Sequence, residues 1–303
     1  MGAPLALVGI GKIALDQHVP ALAQSPDWQL AATVSRRGAV PGVEAYTDFA
    51  RFLAERPEVK ALSLCLPPGP RFAYAEAALK AGRHVMLEKP PGASLAEVQI
   101  LTALAAAQGV TLYASWHSRM GFAVPAAKAA LAKARPLSAR ILWHEDVRRW
   151  HPGQTWVFDP GGMGVFDPGI NALSILTAIW PEALYLQSAQ LSVPANRQMP
   201  IAAALQFSGG VSADFDWRIE GPQRWDIEIE TAEGPMALRA GGAEFWRGAH
   251  CAVSGPNLEY PRLYARFAEL VSAGQSEVDL APMVHVADAF SLGARESTAP
   301  FTF

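Results

Sequence analysis

Three stretches carry residues whose types and spacing could hold and act on an oxygen-bearing substrate. The first is Met86-Leu87-Glu88-Lys89-Pro90-Pro91. It ends an apolar run, His84–Leu87, that reads as a buried strand, and a lysine at the carboxyl end of a parallel strand stands where open α/β sheets bind ligands. There Lys89 could hold a developing alkoxide or carbonyl oxygen by charge. The bland alternative is a solvated cation paired with Glu88. The second stretch is Gly161-Gly162-Met163-Gly164-Val165-Phe166-Asp167-Pro168-Gly169-Ile170-Asn171. Asp167 and Asn171 are four apart and share a face if the segment is helical. Asp167 reads equally well as an N-cap with Pro168 at the first helical position. The third runs from Glu145 to Gln154, just after a strand, and concentrates Glu145, Trp150 and His151. It has the character of a substrate-contacting loop, with a charged surface loop as the alternative. Trp150 is the aromatic ring best placed to pack on the apolar C–H face of a pyranose, whereas Trp143, Trp217 and Trp225 read as sheet or core packing.

The N-terminal region offers a place for a dinucleotide. Leu5–Val8 reads as a strand and runs into Gly9-Ile10-Gly11-Lys12-Ile13-Ala14. This is G-x-G-x-x-A in a first strand-to-helix turn, where backbone N–H groups and the helix N-terminus can cradle a pyrophosphate. The next strand, Gln29–Val34, follows at βαβ spacing and ends in Ser35-Arg36-Arg37 with no acid. An acid there would bind a ribose 2′-OH, and arginine accommodates a 2′-phosphate. NADP is therefore favoured over NAD, with Ser35 bonding the phosphate and Arg36 pairing with it or stacking on adenine. The expected cofactor contacts are Gly9, Ile10, Gly11, Lys12, Ile13, Ser35, Arg36, Cys65, Leu66, Pro67, Pro68, Glu88 and Lys89. Cys65, inside an apolar run, also reads as a buried structural thiol.

The elements that must position these groups fall into two textures. In the first, strands at Ala61–Leu66, His84–Leu87 and Thr111–Ser115 alternate with helices: one opened by Asp48, one over Ala73–Ala81 stopped by Gly82, and one from the capping box Ser94-Leu95-Ala96-Glu97 to Gln108. Pro67-Pro68 predicts an extended turn. This is the pattern of a doubly wound parallel sheet, a Rossmann domain over residues 1–120. Past Pro136, strands at Ala139–Glu145, Leu184–Val193, Ala202–Phe207, Val211–Trp217, Trp225–Thr231 and Met236–Arg239 are joined by glycine-rich turns. They predict an α+β domain over 121–303 with a large, mostly antiparallel open sheet. Helices over Pro261–Ala273 and Met283–Leu292 follow, the last expected to pack back on the Rossmann domain.

Composition narrows the partners. A net charge of −3 over 303 residues gives no electrostatic attraction to nucleic acid or anionic lipid. Two cysteines are too few for a disulfide framework. No apolar run approaches the roughly 18 residues of a membrane span, the N-terminus lacks a basic signal region, and no metal site is expected. A cytoplasmic protein is expected.

The glycine loop, the Glu88-Lys89-Pro90 corner and the Gly161–Asn171 stretch, in that order, resemble the Gfo/Idh/MocA oxidoreductases along the whole chain. Asp16-Gln17-His18-Val19-Pro20, Trp116-His117-Ser118-Arg119 and Glu145 to Gln154 bring it nearest the aldose 1-dehydrogenases acting on L-arabinose and D-galactose. The resemblance implies a Rossmann domain plus an α/β domain whose open sheet often mediates oligomerisation, so a homo-oligomer is expected. It places Lys89 beside the nicotinamide and the reacting hydroxyl. It makes Lys89 the holder of the C1 oxygen and a candidate base, Asp167 the alternative base or the group that orients Lys89, and Asn171, which replaces the usual histidine base, a group that positions a hydroxyl. His117, Glu145, Trp150 and His151 then contact the remaining sugar. The implied reaction is oxidation of an aldopyranose at C1 to the lactone. A D-xylose or inositol dehydrogenase and a non-catalytic NADPH-binding regulator are the alternatives.

Overall fold

The computed structural model describes residues 2–303, and the chain divides into two compact units. The first comprises the chain up to His117 together with Leu258–Leu280; the second holds Ser118–Asn257 and Ala281–Phe303.

The first unit is built on six strands: β1 (Ala3–Val8), β2 (Trp28–Val34), β3 (Glu44–Tyr46), β4 (Ala61–Leu64), β5 (His84–Leu87) and β6 (Leu112–Ala114). All pairs are parallel and the order is β3-β2-β1-β4-β5-β6. The order reverses between β1 and β4, which opens a crevice at their carboxyl ends. The central strands are mostly apolar because helices cover both faces; every residue of β4, Ser63 included, and all of Leu5–Val8 is buried. A π-helical turn, Ala14–His18, leads into α1 (Val19–Ala23). Asp48 caps α2 (Phe49–Glu55) by accepting from the Arg51 N–H at 2.9 Å. α3 (Pro68–Lys80) starts five residues earlier than the pattern suggested. Only Pro67 is extended; Pro68 occupies the first helical turn, where its missing N–H costs nothing. Ser94 caps α4 (Leu95–Gln108) through the Glu97 N–H, and Gly109 closes it at φ 63°.

The second unit carries α5 (Val124–Leu131), β7 (Pro136–His144), α6 (Val147–Trp150), α7 (Phe166–Ile179) and strands β8 (Leu186–Pro194), β9 (Ala202–Phe207), β10 (Val211–Asp216), β11 (Arg224–Thr231), β12 (Met236–Arg239), β13 (Glu244–Arg247) and β14 (His250–Ser254). Next in the chain come α8 (Glu259–Ala273), α9 (Ala281–Leu292) and β15 (Ala294–Thr298). The nine-stranded sheet runs β14-β13-β12-β11-β7-β10-β9-β8-β15. β10 pairs parallel with β7, and β15 with β8; the other pairs are antiparallel. One face packs on helices, with Phe166 of α7 edge-on to Phe215 at 6.0 Å. The other presents exposed polar residues such as Arg140, Gln190, Gln206 and Asp214.

The final helices exchange the roles expected of them. α8, not the last helix, belongs to the first unit, while α9 packs on α7 and β8. The reason lies in α8's buried stripe of Tyr260, Leu263, Tyr264, Phe267 and Leu270, spaced to one helix face. Phe267 stacks on Trp28 at 5.2 Å, and the Trp28 indole donates to the Tyr264 carbonyl at 2.9 Å. No helix among the described residues is long and apolar enough to cross a membrane, and none of their His, Cys, Asp or Glu side chains gather into a metal-holding group.

Candidate active site

In the first unit, the loop after β1 is shaped for a dinucleotide. Gly9 has φ +92°, and a Cβ there would lie 2.9 Å from the Leu66 backbone nitrogen, so no side chain fits. A Cβ on Gly11 would meet nothing within 4 Å. That open space over the loop is what a pyrophosphate needs to reach the backbone N–H groups. Ile10 is buried beneath, while Lys12, which pairs with Asp16, and Ile13 are exposed. Ser35 Oγ accepts from the N–H groups of Arg37 (3.4 Å) and Gly38 (3.2 Å). The resulting turn leaves Arg36 and Arg37 exposed, and neither guanidinium has a hydrogen bond or ion pair among the described residues. Two uncommitted guanidinium groups and no acid suit a ribose 2′-phosphate. The Cys65 N–H extends the ladder to the Val8 carbonyl at 2.8 Å, and its thiol points inward, 3.9 Å from Ser63 Oγ. Leu66 is half-buried, Pro67 exposed and Pro68 buried.

The corner at Lys89 is held from several directions. The Lys89–Pro90 peptide is cis. Glu88 spends its buried carboxylate on three donors: His18 Nε2 (3.0 Å) and the Tyr260 hydroxyl (2.8 Å) at Oε1, and the Lys89 backbone N–H (2.8 Å) at Oε2. The buried Arg71 guanidinium donates to the carbonyls of Leu66, Glu88 and Pro90, joining the loops after β4 and β5. His18 reaches the Tyr264 hydroxyl through Nδ1 at 2.7 Å and meets the Tyr260 ring edge-on at 4.8 Å. Burial opposes the charge on His18, but Cys65, Tyr264 and Glu88 outweigh it and hold the imidazole well above its ordinary range. Burial likewise opposes ionisation of Glu88, yet hydrogen bonding and charge from His18 keep the carboxyl well below its ordinary range. Burial, aided by Glu88, raises Tyr260, and burial lifts Tyr264 to about 12, so both phenols stay protonated. Nearby, His117 Nδ1 bonds Glu259 at 2.8 Å and its ring stacks on Tyr260 at 5.6 Å. Burial lowers His117, but Glu259 more than compensates and raises it. His18, Arg71, Tyr260 and Tyr264 were given no role from the sequence. They lie far along the chain from Lys89, and only the neighbourhood of His18 carried any signal, as part of the family resemblance.

The second unit gathers another cluster. α7 begins at Phe166 with Val165 as its N-cap and no side-chain cap, so Asp167 sits inside the first turn. Its carboxylate does not cap the helix. Instead Oδ2 lies 3.1 Å from His151 Nε2, brought there by the loop after α6. Asn171 follows one turn along α7, half-buried. His151 Nδ1 faces Gln154 Oε1 at 3.3 Å, and that oxygen also accepts from Trp156 Nε1 at 3.2 Å. The His151 ring meets Trp217 at 5.3 Å. Glu145, buried at the end of β7, accepts from the indoles of Trp217 (3.1 Å) and Trp225 (2.8 Å). Trp225 lies 6.1 Å from Trp150, which is 39% exposed and donates to Gln223 Oε1 at 2.7 Å. Trp150, Trp225, Glu145, Trp217, His151 and Asp167 thus form a continuous chain of contacts. Trp217 and Trp225, read as packing residues, also hold Glu145.

A doubly wound parallel sheet with this glycine cradle, joined to a unit with an open mixed sheet, defines a nicotinamide-dependent oxidoreductase. Residues 4–115 match the model for the Gfo/Idh/MocA oxidoreductase family, NAD-binding Rossmann fold. The chain is 41% identical to galactose 1-dehydrogenase from Pseudomonas fluorescens, covering 98% of each protein. It superposes on the crystal structure of D-galactose-1-dehydrogenase from Rhizobium etli with a TM-score of 0.96 and 51% identity, over 99% of this chain and 98% of the other. A 3-ketoreductase from Actinomadura kijaniata, solved with NADP and TDP-benzene, shares the fold at a TM-score of 0.84 with 19% identity, over 98% and 100% of the two chains. The chain belongs to the Gfo/Idh/MocA oxidoreductase family.

Proposed function

We propose that this chain is an aldose 1-dehydrogenase that oxidises D-galactose, L-arabinose or both at C1 to the lactone, with NADP preferred over NAD. The observation that carries this is the identity to galactose 1-dehydrogenase over nearly the full length of both proteins. Lys89, Asp167 and Asn171 support it by their chemistry, and the free Arg36 and Arg37 support the cofactor preference.

The bound nicotinamide supplies the hydride acceptor. Gly9 to Ile13 and Leu66 to Pro68 bind the dinucleotide, and Ser35 and Arg36 hold its 2′-phosphate. Lys89 draws negative charge onto the C1 oxygen as its proton leaves. Asn171 positions the C1 or C2 hydroxyl, and Trp150 packs on the C–H face of the ring. Glu145 and its two indoles shape the wall that reads the remaining hydroxyls.

The test is the initial rate of NAD(P)H formation with D-galactose, L-arabinose, D-xylose, D-glucose and myo-inositol, each with NADP+ and NAD+. Turnover of galactose or arabinose with NADP+ preferred is the expected result. Activity only on xylose or inositol would discard the assigned pocket, and silence with tight NADPH binding would indicate a regulator. Lys89→Met should abolish turnover while NADPH binding, followed by fluorescence, persists; unchanged turnover would remove Lys89 from the chemistry.

A further inference from the structure

Oxidising an anomeric hydroxyl releases a proton, and the amide of Asn171 cannot take it. The second unit does hold a carboxylate and an imidazole in contact, Asp167 Oδ2 and His151 Nε2 at 3.1 Å. What lies behind the imidazole is informative. Trp156 Nε1 can only donate, so its bond to Gln154 Oε1 identifies that atom as an oxygen acceptor. The same oxygen faces His151 Nδ1 at 3.3 Å. Both ring nitrogens therefore point at acceptors.

A neutral imidazole has one N–H and can satisfy only one of the two. Once the pair has gained a proton, both contacts are met. The imidazolium can donate to the Asp167 carboxylate and to Gln154, or a protonated Asp167 can donate to Nε2 while Nδ1–H donates to Gln154. The surroundings thus fit the pair in its proton-loaded form. The two side chains are 20% and 17% exposed, enough to pass a proton on to water.

Resting on the activity proposed above, we infer that Asp167 and His151 act together as the proton acceptor, with Gln154 and Trp156 as positioning residues. As the C1–H bond breaks, its electron pair leaves with the hydrogen as hydride to the oxidised nicotinamide. The O–H bond breaks with it, and its electron pair forms the second C–O bond of the lactone. The proton passes to Asp167, is shared with His151 Nε2, and leaves from the imidazole to water.

His151→Gln separates transfer from positioning, because the glutamine amide can still donate to Asp167 but cannot carry a proton. In steady-state assays with the preferred aldose and NADP+, its kcat should fall about 100-fold, the lower range for general acid–base catalysis, with little change in sugar KM. His151→Ala should be equally slow and should regain rate as free imidazole is added to the assay. Circular dichroism and NADPH binding on each variant confirm a folded protein. If His151→Ala does not fold, Gln154→Leu, which leaves both partners in place, should still lower kcat more than it raises KM. Wild-type kcat in His151→Gln would overturn the inference, as would a defect confined to KM, which would make His151 a hydroxyl ligand. An active wild type with an active His151→Gln refutes this inference alone; a wild type silent on every aldose overturns it together with the proposed activity.

Discussion

Glu88→Gln exchanges one oxygen for an NH2 group at almost constant volume, and the structure makes that exchange costly. The Glu88 side chain is 5% exposed and accepts from His18, Tyr260 and the Lys89 N–H. An amide offers one acceptor oxygen. If that oxygen keeps His18 and Tyr260, its NH2 group confronts the Lys89 N–H; turned over, it confronts His18 and Tyr260 instead. At least one buried donor is left unmet, at about 1–3 kcal/mol. The fully buried His18 imidazolium also loses its counter-charge, and removing one partner of a buried pair costs about 3–5 kcal/mol. The two penalties overlap, so about 3–5 kcal/mol is the working figure. At about 2–4 °C per kcal/mol for a domain of this size, the first unit should melt about 6–20 °C lower. Scanning calorimetry with and without NADPH measures this and identifies the transition that belongs to the cofactor-binding unit. Tyr260→Phe removes one donor but leaves the ion pair, so its loss should stay near 1 kcal/mol. A Glu88→Gln protein melting within about 2 °C of the wild type would refute an ionised, mutually dependent network.

Two further predictions concern pH and the cofactor. Glu88 is depressed, so its contribution to stability is complete above its ordinary value of 4.5 and is lost as pH falls through the lower folded value. His18 is raised, so its contribution is complete below 6.5 and is lost as pH rises through the higher folded value. Urea unfolding of the first unit should therefore show maximal stability between pH 4.5 and 6.5; a profile still rising toward pH 9 would contradict the raised His18. Arg36→Ala should weaken NADP+ about ten- to a hundredfold, as expected for one charge-assisted bond of about 1.5–3 kcal/mol, and leave NAD+ nearly unchanged. Equal losses for both cofactors by fluorescence titration would show that Arg36 does not read the 2′-phosphate.

Much of the fold is legible in the sequence because a parallel sheet covered on both faces needs predominantly apolar strands, and β1, β4 and β5 are such runs, broken only by Ser63 and opened in β5 by His84. Short or edge strands give no such mark. β3 has three residues, and β15, Ala294–Thr298, is exposed along most of its length, so neither periodicity nor composition distinguishes it from a loop. The exchange between α8 and α9 was hidden for a different reason. Both are helices with a buried face, and amphipathicity says that a helix packs without saying on what.

The candidate site divides along the same line. Lys89, Asp167 and the glycine loop stand out because their chemistry demands particular residue types at particular ends of elements. Their supports carry no such demand. His18 comes from a turn after β1, Arg71 from α3, and Tyr260 and Tyr264 from a helix near the end of the chain; only folding sets them around Glu88. Asp167 shows how little separates the two kinds of legibility. Read along the chain, an Asp-Pro pair before an apolar run is a helix cap, and that role would use the carboxylate on its own backbone. The helix in fact begins two residues earlier than that cap would set it, at Phe166 rather than Pro168, and moves Asp167 into the first turn. Displaced by those two residues, the carboxylate meets His151 from another loop, and an expected cap becomes half of a carboxylate–imidazole contact.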